Sequence, residues 1–161
     1  MHPRASALIR LLDLTPHPEG GYYREVFRSL RMVRSSDLAV ERAAITTIYF
    51  LLVAGQHSRW HRITSDEVWH YTEGDPLELI WFDAGGTFAR HRLLGLPTDK
   101  CQPVQIVSGG CWQAARSLGE YTLVGCSVAP GFEFTDLSLL ADDSEVQALV
   151  RARFPELAVL I

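Results

Sequence analysis

At 161 residues and 47% hydrophobic side chains, the chain is long enough to bury a continuous core as one domain, residues 1–161, without disulfides or a structural metal. A formal net charge of -4 excludes a broad basic face, and with it nucleic acid and anionic membrane surfaces as partners. No apolar segment follows a basic N-terminus and no run nears the roughly 20 apolar residues of a membrane span, so a cytoplasmic protein is expected.

Leu8, Ile9, Leu11 and Leu12 form a short helical stripe that ends before "TPHPEGG", where two prolines and two glycines break regular structure. Glu19 in that segment reads as a turn residue taking backbone N–H bonds, or as a dimer contact. Arg24, Arg28, Arg31, Arg34 and Arg42 are interleaved with Glu25, Asp37 and Glu41, the pattern of a solvated mixed-charge face. From "YYREVF" onward the chain is a series of β-branched and aromatic runs: "AITTIYFLLV", "SRWHRI", "EVWHY", "LELIWF", "TFARHRLL", "VQIV", "YTLVGCSV" and "FEFTDL". Turn chemistry separates them, which predicts an all-β sandwich or barrel. "IYFLLV" is continuously apolar and is expected to be buried on both faces, whereas "TFARHRLL" alternates and places His91 on the surface. "ADDSEVQALVRARFP" carries an Asp/Ser cap, Val146, Leu149 and Val150 at helical spacing, and Pro155 as a stop, so a C-terminal helix should close one side of the barrel. Cys101, Cys111 and Cys126 form no CxxC pair and read as buried free thiols, none of them assigned as a nucleophile.

"WHRITSDEVWHYTEGDP", residues 60–76, concentrates the chemistry. Taken as a hairpin of residues 59–63 and 67–72, its alternation places His61 and Ile63 on one face, shared across the pair with Glu67, Trp69 and Tyr71. Trp60, Arg62, Val68 and His70 take the other face. A bulge between residues 63 and 70 would reverse the later faces. A histidine and a carboxylate facing inward cost free energy unless they pair, bind a ligand or coordinate an ion, and that makes them a site candidate.

Gly55, His61, Ile63, Glu67 and Gly74 resemble the first cupin motif, G-x5-H-x-H-x3-4-E-x6-G, with isoleucine at the second histidine. "VSGGCWQAA" is similar to the second motif, with Ser108 for proline, Gly110 retained and Gln113 for histidine. Together with "LDLTPHPEGGYYREVFRS" and "YTLVGCSVAPGFEFTDLSLL", these segments resemble the cupin-5 family over most of residues 11 to 140. The resemblance implies a cupin double-stranded β-helix, or jelly roll, with short N- and C-terminal helices. It also implies a homodimer in which an N-terminal segment such as "GYYREVF" packs on the partner's sheet. Metal-binding cupins hold iron, manganese, nickel or zinc through the motif histidines and glutamate. Here that set reduces to His61, Glu67 and Gln113, and since isoleucine cannot ligate and an amide oxygen is a weak ligand, no cofactor is expected.

Three function classes follow. In the first, the barrel binds a small polar metabolite, a sugar or nucleotide derivative, and acts as an isomerase or epimerase. His61 and Glu67 then form an acid–base pair and Tyr71 is the proton donor, as in the dTDP-sugar epimerases that share the fold, with Tyr49 or Tyr121 behind it. Gln113, Trp69, Tyr49 and Phe132 would contact the ligand, while Glu133, flanked by two phenylalanines in an extended run, either caps the pocket mouth or, as preferred, faces solvent. In the second class a labile divalent transition metal sits on His61, Glu67 and Gln113, with water completing its shell. The third is a non-catalytic metabolite-binding module. The residues alone leave open whether the protein is an enzyme.

Overall fold

A computed structural model describes residues 1–34, 40–83, 85–86 and 88–161. Asp37 of the mixed-charge group, Ala84 and Thr87 lie outside the described residues. In chain order the elements are α1 (Pro3–Leu11), β1 (Thr15–Pro16), β2 (Tyr22–Arg28), β3 (Met32–Arg34), β4 (Glu41–Ala43), β5 (Thr46–Val53), β6 (His57–Arg62) and β7 (Asp66–Gly74). There follow β8 (Leu77–Phe82), β9 (Arg90–Leu94), β10 (Cys101–Gln102), β11 (Val104–Val107), β12 (Trp112–Ser117), β13 (Tyr121–Ala129), β14 (Ser138–Leu139) and α2 (Ser144–Arg153). A last 3-10 segment covers Pro155–Leu160.

Two six-stranded sheets face each other, in the orders β1-β2-β5-β13-β7-β11 and β10-β9-β8-β12-β6-β14. This is the all-β jelly roll that the strand-rich pattern predicts, and three apolar clusters hold it together. Phe50, Leu52, Trp69, Leu79, Val124 and Cys126 meet between the sheets. Leu51, Val53 and Leu123 point out of the first sheet onto Ala5 and Leu8 of α1. Trp60, Ile80, Phe82 and Trp112 point out of the second onto Val150 of α2 and onto Leu157 and Leu160. Over β5 the first sheet is therefore covered on both faces, which explains why "IYFLLV" has no polar alternation: Phe50 and Leu52 face the barrel, and Leu51 and Val53 face the helix.

The two helices behave differently from one another at the level of single residues. Asp143 caps α2 by accepting from the Val146 amide at 3.0 Å, and Trp60 donates its indole N–H to the Leu157 carbonyl at 3.1 Å, fixing the C-terminal segment to the barrel. In α1 the expected stripe is shifted. Leu8 is buried, but Leu11 is 71% exposed, and Ala5 takes the second contact instead. A further departure concerns "FEFTDL", which is a 3-10 turn at Phe134–Asp136 and not a strand. Arg42 binds the Asp136 carboxylate at 2.8 Å and Arg28 binds both Glu133 and the Phe132 carbonyl, so side-chain pairing in place of a ladder sets that backbone.

The hairpin expected at residues 59–72 is also absent. β6 pairs with β12 and β14, whereas β7 pairs with β13 and β11. Residues 63–65 thus cross from one sheet to the other, as a jelly roll requires of consecutive strands. The register irregularity of β7 falls opposite Leu123 and Val124, between Tyr71 and Glu73, beyond the segment where it would reverse Glu67.

Candidate functional site

Because β6 and β7 belong to opposed sheets, His61 and Glu67 converge across the barrel interior and not across one hairpin. Both are buried, at 2% and 7% exposure, and both line a cavity of about 120 Å³. Its inner wall is made by His17, Glu19, His61, Ile63, Glu67 and Cys126, and its mouth by Tyr23, Glu25, Arg28, Phe132, Glu133 and Phe134. His70 is exposed on the outer face, and Trp60 and Arg62 also point away from the barrel interior.

Glu19 and His17 are the residues the sequence reading missed. The Pro-Glu-Gly-Gly turn folds inward onto β6. The Arg59 amide donates to the Glu19 carbonyl at 2.8 Å, and the Arg59 guanidinium donates to the Pro18 carbonyl. Gly20, with φ at +114°, lies against the His57 carbonyl oxygen, where any Cβ would collide. That close approach requires glycine and carries the neighbouring Glu19 side chain into the barrel. The turn chemistry is visible in "HPEGG", but nothing in those five residues says which way the turn faces.

Inside, Ser58 donates its hydroxyl to Glu19 Oε1 at 3.0 Å. Glu19 Oε2 is 3.3 Å from His61 Nε2 and 3.7 Å from His17 Nδ1. His61 Nδ1 lies 2.8 Å from the Arg59 carbonyl, which accepts and so fixes the Nδ1–H tautomer, leaving Nε2 toward Glu19 and the cavity. Glu67 accepts from the Gln113 amide at 2.6 Å, while the Gln113 carbonyl accepts from the Trp69 indole at 3.3 Å. Gln113 stands opposite His61 in the β6–β12 register, and its place is behind Glu67 as a positioning group.

Burial controls the charges. Glu19 is pushed up to about 8, with the Ser58 hydrogen bond and Arg59 opposing only in part. Glu67 is pushed up to about 7 by burial, against the pull of His61 and with a further push from Glu19. Burial lowers His17 to about 4, and lowers His61 although Glu67 favours its charged form. The Cys126 thiol, beside Glu67, is raised well above its usual range, so it is no nucleophile. At neutral pH the inner wall holds two neutral imidazoles and two carboxyls that exchange protons within the physiological range.

The remaining expected site residues are placed as follows. Phe132 lines the mouth. Trp69 lies in the interior cluster and reaches the cavity only through Gln113. Tyr71 donates its hydroxyl to the Gly74 carbonyl at 2.6 Å, away from the cavity. Tyr49 packs with the α1 cluster on the outer face of the first sheet, and Tyr121 does the same while donating to Glu73 at 3.0 Å. The tyrosine at the cavity is Tyr23, edge-on to His17 with ring centroids 4.5 Å apart. Glu133 stands at the mouth, where it binds Arg28 at 2.7 Å while its side chain stays 44% exposed, so the capping alternative and the solvent-facing one both describe it.

The donor set does not fit a transition-metal centre. Ile63 occupies the wall where the cupin motif has its second histidine. Gln113 turns its N–H toward Glu67 and engages its oxygen with Trp69. Among the described residues no three His, Cys, Asp or Glu side chains are grouped to hold an ion. The set of His61, Glu67 and Gln113 as metal ligands is therefore not carried further.

Two mostly antiparallel sheets enclosing a pocket lined from both of them define a cupin-type double-stranded β-helix. The Cupin_5 family, described as Cupin superfamily (DUF985), matches residues 6–140, and the chain belongs to that family. A hypothetical protein from Leishmania major is 33% identical over 98% of this chain and 96% of its own, with a TM-score of 0.83. A Shewanella oneidensis protein of known crystal structure is 32% identical over 97% and 93%, with a TM-score of 0.81. Oxalate decarboxylase from Bacillus subtilis aligns over 93% of this chain and 37% of its own at 16% identity and a TM-score of 0.60, a likeness of fold alone. No curated protein matches. Among the described residues, no helix is long and apolar enough to cross a membrane.

Proposed function

We propose that the cavity is a metal-independent proton-transfer site for a small polar metabolite, acting as an isomerase or epimerase on a carbon next to a carbonyl. The observation that carries this reading is the convergence of His61, Glu19 and Glu67 on one small cavity, with the free ring nitrogen of His61 on the cavity side. His61 Nε2 takes the proton as the C–H bond breaks, and Glu19 beside it relays that proton. Glu67 in its neutral form donates to the carbonyl oxygen as charge develops there, the role a protonated carboxyl fills in an oxyanion hole. Return of the proton to the same or a neighbouring carbon completes the isomerisation. Tyr23, Phe132 and Phe134 form an aromatic wall for the ligand.

The cavity volume limits the ligand. An apolar cavity of roughly 150 Å³ holds benzene, so about 120 Å³ takes a fragment of about six heavy atoms or fewer. The rest of a sugar or nucleotide derivative would project through the mouth. The same reading takes the protein as a homodimer, supported by Val26 and Phe27 of β2, which are 43% and 53% exposed beside a strand edge that β1 covers only at Tyr22 and Tyr23.

The test is deuterium exchange. Three- and four-carbon hydroxycarbonyl compounds in D2O should lose their α-proton with the wild-type protein, and His61→Ala should slow that exchange by at least 100-fold, as measured by proton NMR. Exchange that is equally fast in His61→Ala would remove the acid–base role. A metabolite retained in native mass spectrometry but never exchanged would make the pocket a binding module.

A further inference from the structure

Among the described residues, four glutamates, Glu19, Glu25, Glu67 and Glu133, line the cavity against a single arginine, Arg28. That arginine is already committed. It binds Glu25 through Nε and Nη2, Glu133 through Nη1, and the Phe132 carbonyl through Nη2, at 2.7 to 3.0 Å. Four of its five N–H donors are engaged, and its charge is outweighed by the two carboxylates it binds, so the mouth triad is net negative. Both imidazoles of the inner wall are neutral, so no cation waits inside for an anion.

Two features separate this cavity from a solvated acidic patch. His61 is only 2% exposed, and its Nε2 lies on the cavity wall 3.3 Å from Glu19 Oε2, so a buried imidazole and a buried carboxyl share one edge of the cavity. Glu67, 7% exposed, has one strong partner in Gln113 and otherwise meets only the weakly donating thiol of Cys126. A buried carboxyl with so few partners is a group that a ligand completes. Around them stand His17, Tyr23, Phe132 and Phe134, the last two edge-on with centroids 5.1 Å apart. Aromatic rings combined with carboxyls are the environment that binds organic ammonium groups.

We propose that the ligand of this cavity carries a small ammonium group, bound between Glu19 and Glu67 within the aromatic wall. This deepens the proton-transfer reading and rests on it, since it makes the substrate an amino-carbonyl compound. The cation draws one of the two carboxyls into its ionised form and expels one proton to solvent, while mutual repulsion keeps the other protonated. The ionised carboxyl then supports the imidazolium that forms on His61, and the protonated one remains the acid. The other groups facing the pair are His17, His61, Cys126 and, at the mouth, Arg28 with Glu25 and Glu133.

Three probes of equal heavy-atom count decide it: propylammonium, 1-propanol and acetate, titrated at pH 6.5 by NMR and by calorimetry in two buffers of different ionisation heat. The expected result is propylammonium binding at least tenfold more tightly than 1-propanol, no acetate binding, release of about one proton, and loss of the preference in Glu67→Gln and Glu19→Gln. Acetate binding as tightly as propylammonium would overturn the proposal. So would a cation preference that survives in both glutamine variants, since it would then come from the outer surface. Equal binding of all three, or of none, has the same meaning. Deuterium exchange of uncharged hydroxycarbonyl compounds that depends on His61, together with failure of propylammonium to bind, would refute this inference and leave the proton-transfer reading standing.

Discussion

The free energy of unfolding is expected to fall by on the order of 2 kcal/mol between pH 6.5 and 8, more steeply than between pH 4.5 and 6.5, with Glu19→Gln removing most of that fall. The sign follows from four buried groups. Glu19 and Glu67 rise from 4.5 to about 8 and about 7 on folding, so the folded state binds protons that the unfolded chain has lost. His17 falls from 6.5 to about 4, and His61 also falls, so the folded state has lost protons that the unfolded chain keeps. Between 4.5 and 6.5 release at the imidazoles opposes uptake at the carboxyls, so stability changes less steeply there than above 6.5. Above 6.5 the unfolded imidazoles are already neutral and only the carboxyl uptake remains. Stability present below the unfolded carboxyl value is therefore lost as pH rises through the folded values. Below 4.5 only the imidazole release remains, and stability falls toward pH 4. Urea denaturation at pH 5.5, 6.5 and 8 checks this. A stability that rises from pH 6.5 to 8 would mean that both carboxyls are ionised already at acid pH.

Trp69→Ala is expected to cost about 3 to 5 kcal/mol, the range for removing a buried aromatic side chain. Trp69 is 1% exposed at the centre of the inter-sheet cluster, edge-on to Phe50 with centroids 6.0 Å apart. Its loss opens a cavity between two covered sheets that have little freedom to collapse. The substitution also removes the indole N–H that orients Gln113, which then no longer presents its amide to Glu67 in one geometry. Trp69→Phe separates the two effects, since it keeps most of the volume and drops the donor. Denaturation should show Phe costing much less than Ala, with the Glu67 carboxyl titrating higher in both variants because the Gln113 bond that opposes its shift is weakened. Equal stability of Trp69→Ala and wild type would contradict the packing described here.

Much of this was legible in the residues. Short β-branched runs, the continuous apolar stretch at 48–53 and the capped C-terminal pattern lead to a two-sheet barrel with a helix on one side. The inward alternation of His61 and Glu67 holds although the hairpin that suggested it does not exist, because period-two alternation is a property of each strand and survives a change of partner. What was not legible depends on tertiary direction. Tyr71 lies on an inward-facing run, yet the irregularity between Tyr71 and Glu73 and the bond to Gly74 take its hydroxyl away from the cavity. Glu19 sits in a turn whose sequence fixes its curvature but not the face it packs on. Glu133 alternates with two phenylalanines only if the segment is extended, and pairing by Arg28 and Arg42 prevents that.

Proton transfer in this cavity depends on two glutamates whose burial carries their titration into the neutral range. Carbon-13 NMR titration of the glutamate side-chain carboxyls, with Glu19→Gln and Glu67→Gln to assign the signals, measures this directly. Two signals should titrate near pH 8 and pH 7, each lost in its own variant. Titration of every glutamate near its ordinary value of 4.5 would show a pocket of fixed carboxylates beside His61, and the proton-transfer account would fail.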